Sequence, residues 1–223
     1  MKTPQIEKRE EFRCIHRHDG YSHPNCYDKY ALQREPMAVL DIETNNLKAD
    51  FGIMYSWAMC IPGYLSDKRG YVTISDALHK DDFKYKYGHY DYRIVKSLIT
   101  VLKDLDIKWL ITYYGTNFDL PYIRSKALQY NIKFPEYGTI RNIDLYYVVR
   151  NKLQLTRNSL ANADGFFGLG DKTPIAKEMW IRAMTADKKA IDEIVSHNVG
   201  DVISTYKLYK KLRPYMFTPR KSI

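Results

Sequence analysis

Cysteine is scarce in this sequence, with three in 223 residues. That is too few for a disulfide framework in a chain of this size. No apolar run approaches the ~20 residues that a membrane-crossing helix requires, which excludes a helical membrane protein. The first residues, MKTPQIEKREEF, are charged and carry no apolar signal core, so residence in the cytoplasm is expected. There is no internal repeat and no low-complexity tract, which excludes solenoids and biased linkers. GLGDKT (168–173) lacks the Gly-Lys-Ser/Thr order of a phosphate loop, so nucleotide hydrolysis of that type is set aside. No serine nucleophile elbow is present either.

What is there suits one domain with a small appendage. The composition is 45% hydrophobic and 27% charged, enough for a packed core and against wholesale disorder. Twenty tyrosines offer flat faces that serve a core or stack on bases. The formal net charge of +9 concentrates a polyanion near the surface.

Residues 1–35 are polar and hold three of the six histidines and two of the three cysteines. Residues 36–212 read as an α/β domain, a mixed sheet flanked by helices, and 213–223 as a basic tail. Strands are expected at 38–44, within 51–61, at 70–75, at 108–114 and near 139–143. DDFKYKYGHY (81–90) reads as a polar loop, followed by a helix with Ile94, Leu98, Val101 and Leu105 on one stripe. A helix begins near Asn117, and the final long helix carries Ile191, Val195, Val202, Tyr206 and Tyr209 inward.

Three stretches bring acids to places where chemistry is possible. In AVLDIET (38–44) side chains alternate, so Val39, Asp41 and Glu43 share one face and Ala38, Leu40 and Ile42 the other. Adjacent carboxylates repel unless a cation lies between them, and hard divalent ions prefer such oxygens. In TYYGTNFDLPYI (112–123), Gly115 permits a turn, Thr116 or Asn117 can cap a helix, and Asp119 falls in its first turn. An acid there also stabilises the helix dipole without further purpose. In the last helix, His197 and Asp201 stand four apart on one face, at the edge of the apolar stripe, where a side chain can look into a cleft.

The order of these pieces is more specific than any one of them. A DxE at the end of a first strand, an Asn117-Phe118-Asp119 turn, and the late His197-Asn198-Val199-Gly200-Asp201-Val202 resemble the DEDD (DnaQ-like) 3′→5′ exonuclease superfamily, with its ribonuclease-H-like fold. The look is closest to the proofreading domain of family B DNA polymerases and its stand-alone relatives, whose last motif reads roughly Tyr-(Asn/Ser)-x-x-Asp-(Val/Ala). The stretch 143–173, from Asp144 through Ser159-Leu160 to Lys172-Thr173, also resembles those domains. The likeness covers about residues 36–212. No polymerase body accompanies it.

The resemblance implies that Asp41, Glu43, Asp119 and Asp201 hold two Mg2+ or Mn2+ ions and that phosphodiester bonds at a 3′ end are hydrolysed to nucleoside 5′-monophosphates. Histidine stands where that motif has tyrosine, so His197 either takes the proton of the attacking water or orients that water. Thr44, Asn117 and Phe118 are expected at the terminal nucleotide. Tyr113 and Tyr114 read as core before bases, and Arg157 and Lys172 as solvated charges before phosphate ligands. DNA as a single strand or frayed end is the expected substrate. RNA stays open, as do a proofreading or repair role beside a separate polymerase and a binding module that does not cut.

FRCIHRHDGYSHPNCYDKY (12–30) offers Cys14, His18, His23 and Cys26 as C-x3-H-x4-H-x2-C, with His16 able to replace His18. Such ligands suit one tetrahedral, structural zinc that folds a segment too polar to fold alone. The same segment is a candidate for gripping substrate, or a histidine-rich arm.

Overall fold

The computed structural model describes residues 4–63, 69–85, 88–170 and 174–216. Five strands, β1 (Met37–Thr44), β2 (Met54–Pro62), β3 (Tyr71–Ala77), β4 (Trp109–Thr112) and β5 (Arg141–Asp144), make one sheet in the order β3-β2-β1-β4-β5. β1, β2 and β3 run antiparallel in sequence, while β4 and β5 run parallel to β1. Met37, Trp109 and Arg141 stand in register as the first residues of the three parallel strands.

Eight helices accompany the sheet among the described residues: α1 (Pro4–Glu11), α2 (Pro24–Ala31), α3 (Tyr92–Asp104), α4 (Asp119–Gln129), α5 (Leu145–Lys152), α6 (Leu160–Phe167), α7 (Lys177–Ala183) and α8 (Lys188–Met216). Alternation along β1 divides them between two faces. Ala38, Leu40 and Ile42 pack with Ile94, Leu98, Leu102, Ile123 and Tyr130 of α3 and α4 and the residue after α4. Val39 packs on the other side with Ala58, Cys60 and the α8 residues Val202, Leu208 and Leu212. Both faces being covered, the strands are apolar throughout; β2 is buried from Met54 to Ile61.

The expected α/β class is the observed one, and boundaries shift by a few residues. α4 begins at Asp119, and neither Thr116 nor Asn117 caps it: the residue before it is Phe118, which makes no side-chain cap bond. The buried stripe of α8 runs through Ile194, Asn198, Val202, Leu208 and Leu212, with Val195 and Tyr206 at its margin. The reason is that α8 serves two clusters in turn. Its first turns meet α7 and Tyr55, and its later turns meet the sheet and α5.

The 81–90 stretch differs from a plain polar loop. Lys80–Lys84 forms a 3-10 turn, Asp82 is buried, and Arg93 donates from Nε to Asp82 Oδ1 at 2.8 Å. The segment before β1 is also not merely polar, since Tyr27, Ala31 and Leu32 are core residues beside Trp109. Of the tail, α8 includes residues up to Met216, and 217–223 lie outside the described residues. No helix among the described residues is long and apolar enough to cross a membrane.

Candidate nuclease site

β1 carries Asp41 and Glu43 to the ends of the parallel strands, on the face covered by α8. The β1–β2 register slips between Glu43 and Thr44, a bulge of the kind that re-aims side chains next to functional sites. α8 brings His197 and Asp201 onto the same place. Nε2 of His197 is 4.0 Å from both Glu43 Oε1 and Asp201 Oδ1. Ligand atoms of Glu43, His197 and Asp201 all lie within 4.8 Å of one another. Their side chains are 17%, 23% and 14% exposed, so an ion and a water can reach them.

Asp41 is held from α8 as well. Asn198 Nδ2 donates to Asp41 Oδ2 at 2.6 Å, and Ser56 Oγ of β2 donates to Asn198 Oδ1 at 3.0 Å. Ser56 and Asn198 are fully buried. The bond from Ser56 fixes which end of the amide faces the carboxylate.

Asp119 reaches the site by a different route. β4 pairs with β1 no further than Val39↔Ile111, which leaves the Ile42 N–H without a strand partner on that side. Asp119 Oδ1 accepts that N–H at 3.1 Å, so its carboxyl sits against the residue between Asp41 and Glu43. Burial, joined by the Asp144 charge, pushes the Asp119 carboxyl up to about 7, against the lowering effect of the N–H bonds from Ile42 and Asp119 itself. A divalent cation beside it would reverse that balance.

The turn that delivers Asp119 is tightly specified. Tyr114 has φ +66°, and a Cβ on Gly115 would lie 2.5 Å from Thr112 Cβ. Asp144, at the end of β5, accepts the N–H groups of Tyr114 at 2.7 Å and Thr116 at 3.0 Å and caps α5 through Tyr146 N–H. Asn117 Nδ2 donates to the Tyr147 hydroxyl, and Phe118 packs on Tyr122 with ring centroids 5.8 Å apart. Thr44 Oγ1 donates to the Asn46 carbonyl. Tyr113 is partly buried and donates to the Asn158 carbonyl, whereas Tyr114 is 45% exposed and meets Tyr146 at 4.8 Å. Arg157 is exposed, and Lys172 lies outside the described residues. A cleft of about 450 Å3 runs beside His197 and Asp201, lined also by Ser196, Gly200 and Lys207.

Ser56 and Tyr147 were not legible as site neighbours in the sequence. Asn198 was legible only as part of the last motif, and its role as a partner of Asp41 follows from a buried amide needing a hydrogen bond.

The Cys/His segment lies at the other end of the sheet. Cys14, His16, His23 and Cys26 have ligand atoms all within 4.8 Å of one another, the grouping with His16 of the two that spacing left open. His18 Nδ1 lies 3.3 Å from His23 Nδ1. Burial, then the His18 and His16 charges, hold the His23 imidazole below its ordinary range, and burial and Cys14 hold the Cys26 thiol above its own.

A sheet ordered 3-2-1-4-5, flanked by helices and carrying acids at the ends of its parallel strands, is the ribonuclease-H-like architecture. The RNase_H_2 model matches residues 38–213, and the chain belongs to the RNase_H superfamily. Two curated relatives are the DNA polymerase of Pyrococcus glycovorans and DNA polymerase 1 of Pyrococcus abyssi, each 26% identical over 141 residues. Each match covers 54% of this chain and 18% of the polymerase, so this chain spans less than a fifth of those relatives. The family B DNA polymerase from Pyrobaculum calidifontis superposes with a TM-score of 0.64 at 19% identity, covering 82% of this chain and 25% of that one. That likeness is one of fold.

Proposed function

We propose that the chain is a metal-dependent 3′→5′ exonuclease that shortens a nucleic acid, DNA first, to nucleoside 5′-monophosphates. The observation that supports it most is that ligand atoms of Glu43, His197 and Asp201 lie within 4.8 Å of one another, with Asp41 bonded to Asn198 of α8 and Asp119 bonded to the Ile42 N–H between the two acids of β1. The donor set is made of carboxylate oxygens at one end of the sheet, which fits hard divalent ions such as Mg2+ or Mn2+ and not a soft metal.

Asp41, Glu43, Asp119 and Asp201 would hold the ions. Bound there, two divalent ions supply Lewis acidity that eases ionisation of the attacking water and offsets charge on the phosphate and the leaving 3′-oxygen. His197, partly exposed beside Glu43 and Asp201, accepts the proton of that water or orients it. Asn117, Phe118 and Thr44, on two of the three segments that carry the acids, position the terminal nucleotide. The net charge of +9 draws in the phosphate backbone.

The test is digestion of end-labelled DNA and RNA, single- and double-stranded, with Mg2+ or EDTA. We expect loss of the 3′ label first, no reaction in EDTA, and an Asp41→Ala variant that binds the strand without shortening it. Parent-rate digestion by Asp41→Ala refutes the site. Digestion only when a polymerase is added assigns the proofreading role, and a preference for RNA assigns a ribonuclease.

A further inference from the structure

We infer that Cys14, His16, His23 and Cys26 form a structural zinc site that fastens the N-terminal helices to the sheet at the end opposite the four acids. Local chain geometry assembles the ligands. The Arg17 N–H donates to the Cys14 carbonyl at 2.8 Å and the Cys14 N–H to the His18 carbonyl at 3.0 Å, with Arg17 at φ +66°. This closes a tight loop that holds Cys14 and His16 together. Asp19 Oδ1 then accepts the Tyr21 and Ser22 N–H groups, both at 2.8 Å, and turns the chain toward α2. His23 precedes α2, Pro24 opens it, and Cys26 lies in its first turn, so an x2 spacing puts both ligands at the helix start. Gly20 makes the close passage possible: a Cβ there would lie 2.5 Å from Arg9 Cγ and 2.8 Å from the Arg9 carbonyl.

The distances fit one ion. Zn–S near 2.3 Å and Zn–N near 2.0–2.1 Å in a tetrahedron give ligand–ligand edges of about 3.4–3.8 Å. The Sγ of Cys14 is 3.5 Å from His23 Nδ1 and 3.7 Å from His16 Nδ1, and the Sγ of Cys26 is 3.9 Å from His23 Nδ1. Two thiols and two imidazoles select zinc over the hard ions that the acid site favours. Four protein ligands fill the tetrahedron, which leaves no position for substrate or water and makes the site structural.

What the ion fastens follows from the neighbouring contacts. Tyr27, Ala31 and Leu32 are core residues. Asp28 Oδ1 receives Arg9 at 2.9 Å and Arg141 at 3.3 Å, and Glu35 Oε2 receives Trp109 Nε1 at 2.9 Å and also Arg141. The Arg141 guanidinium stands 4.0 Å over the Trp109 ring. Trp109 and Arg141 open β4 and β5, whereas Asp41 and Glu43 close β1. This inference is independent of the nuclease reading, because its readouts are metal content and stability.

The test uses the full chain, purified without a metal-chelating tag. Elemental analysis should find about one zinc per chain, and exchange with Co2+ should give the intense thiolate-to-cobalt absorption of a two-sulfur tetrahedral site. His16→Ala and Cys26→Ser should lose the zinc, while His18→Ala keeps it. His16 is exposed, so its removal leaves the core unaltered. Chelation should lower the Tm of the parent chain and leave that of Cys26→Ser unchanged. Zinc-free parent protein that takes up no Co2+, a Cys14–Cys26 disulfide in its place, or loss of zinc in His18→Ala overturns the inference.

Discussion

Asn198 on α8 donates its amide to Asp41 on β1 at 2.6 Å, across 157 positions of sequence. The bond occupies Oδ2 of Asp41, orients the carboxylate, and is itself oriented by Ser56. Partners of this kind typically change metal affinity or activity by about 10–100-fold when lost. We expect Asn198→Ala to weaken Mn2+ binding, measured by calorimetry, by about that factor, with catalysis falling in step. Ser56→Ala should do the same more weakly. An unchanged Mn2+ affinity in a folded Asn198→Ala protein refutes the orienting role.

His197 stands 4.0 Å from Glu43 and Asp201 without being a carboxylate. If it moves a proton, His197→Gln should lower kcat by about 10²–10⁴-fold and leave Mn2+ affinity within a few-fold. Turnover at the parent rate would remove His197 from the proton transfer.

Asp91 is buried with a cation beside it. Its carboxylate accepts the Met54 N–H at 2.8 Å and the Tyr130 hydroxyl, and Lys126 Nζ lies 3.5 Å away. Asp91 is 0% and Lys126 4% exposed. Asp91→Ala leaves a buried ammonium unpaired, which costs about 3–5 kcal/mol. Thermal or urea unfolding reads that loss. A change below about 1 kcal/mol would mean that Lys126 escapes to solvent.

The ion pair of Asp76 with Arg93 sets a pH window. Burial raises the Asp76 carboxyl, but the bonds from Arg93 at 2.8 Å and Ser97 at 2.6 Å outweigh it and hold the group below its ordinary value of 3.8. A depressed folded value means stability present above the unfolded pKa and lost as pH falls through the folded one. Asp76→Asn should therefore cost about 1.5–3 kcal/mol near neutral pH. The gap to the parent should close below pH ~4. A gap that stays constant down to pH ~2 contradicts the assignment.

The α/β class was legible because it rests on short-range periods. Alternation in AVLDIET (38–44) placed Val39 and Asp41 apart from Leu40 and Ile42, and the two sets pack in different clusters. The apolar stripe of α8 was legible in part: Ile191, Val202 and Tyr209 are buried, while Ile194 and Leu208 were missed because the helix meets two clusters in succession.

Amino-acid order by itself determined the five strands, the amphipathic helices α3 and α8 and the face on which each acid of β1 stands, since these depend on neighbours two to four residues away. The tertiary structure alone decided the rest. Asp119 takes the Ile42 N–H as well as its own, because β4 stops short of Ile42. Asn198 turns to Asp41 because a buried amide must find partners, and the fold brings Asp41 and Ser56 to it. Ligand atoms of His16 gather with those of Cys14, His23 and Cys26 around the turn at Arg17, and spacing alone carries no record of which imidazole lies nearest.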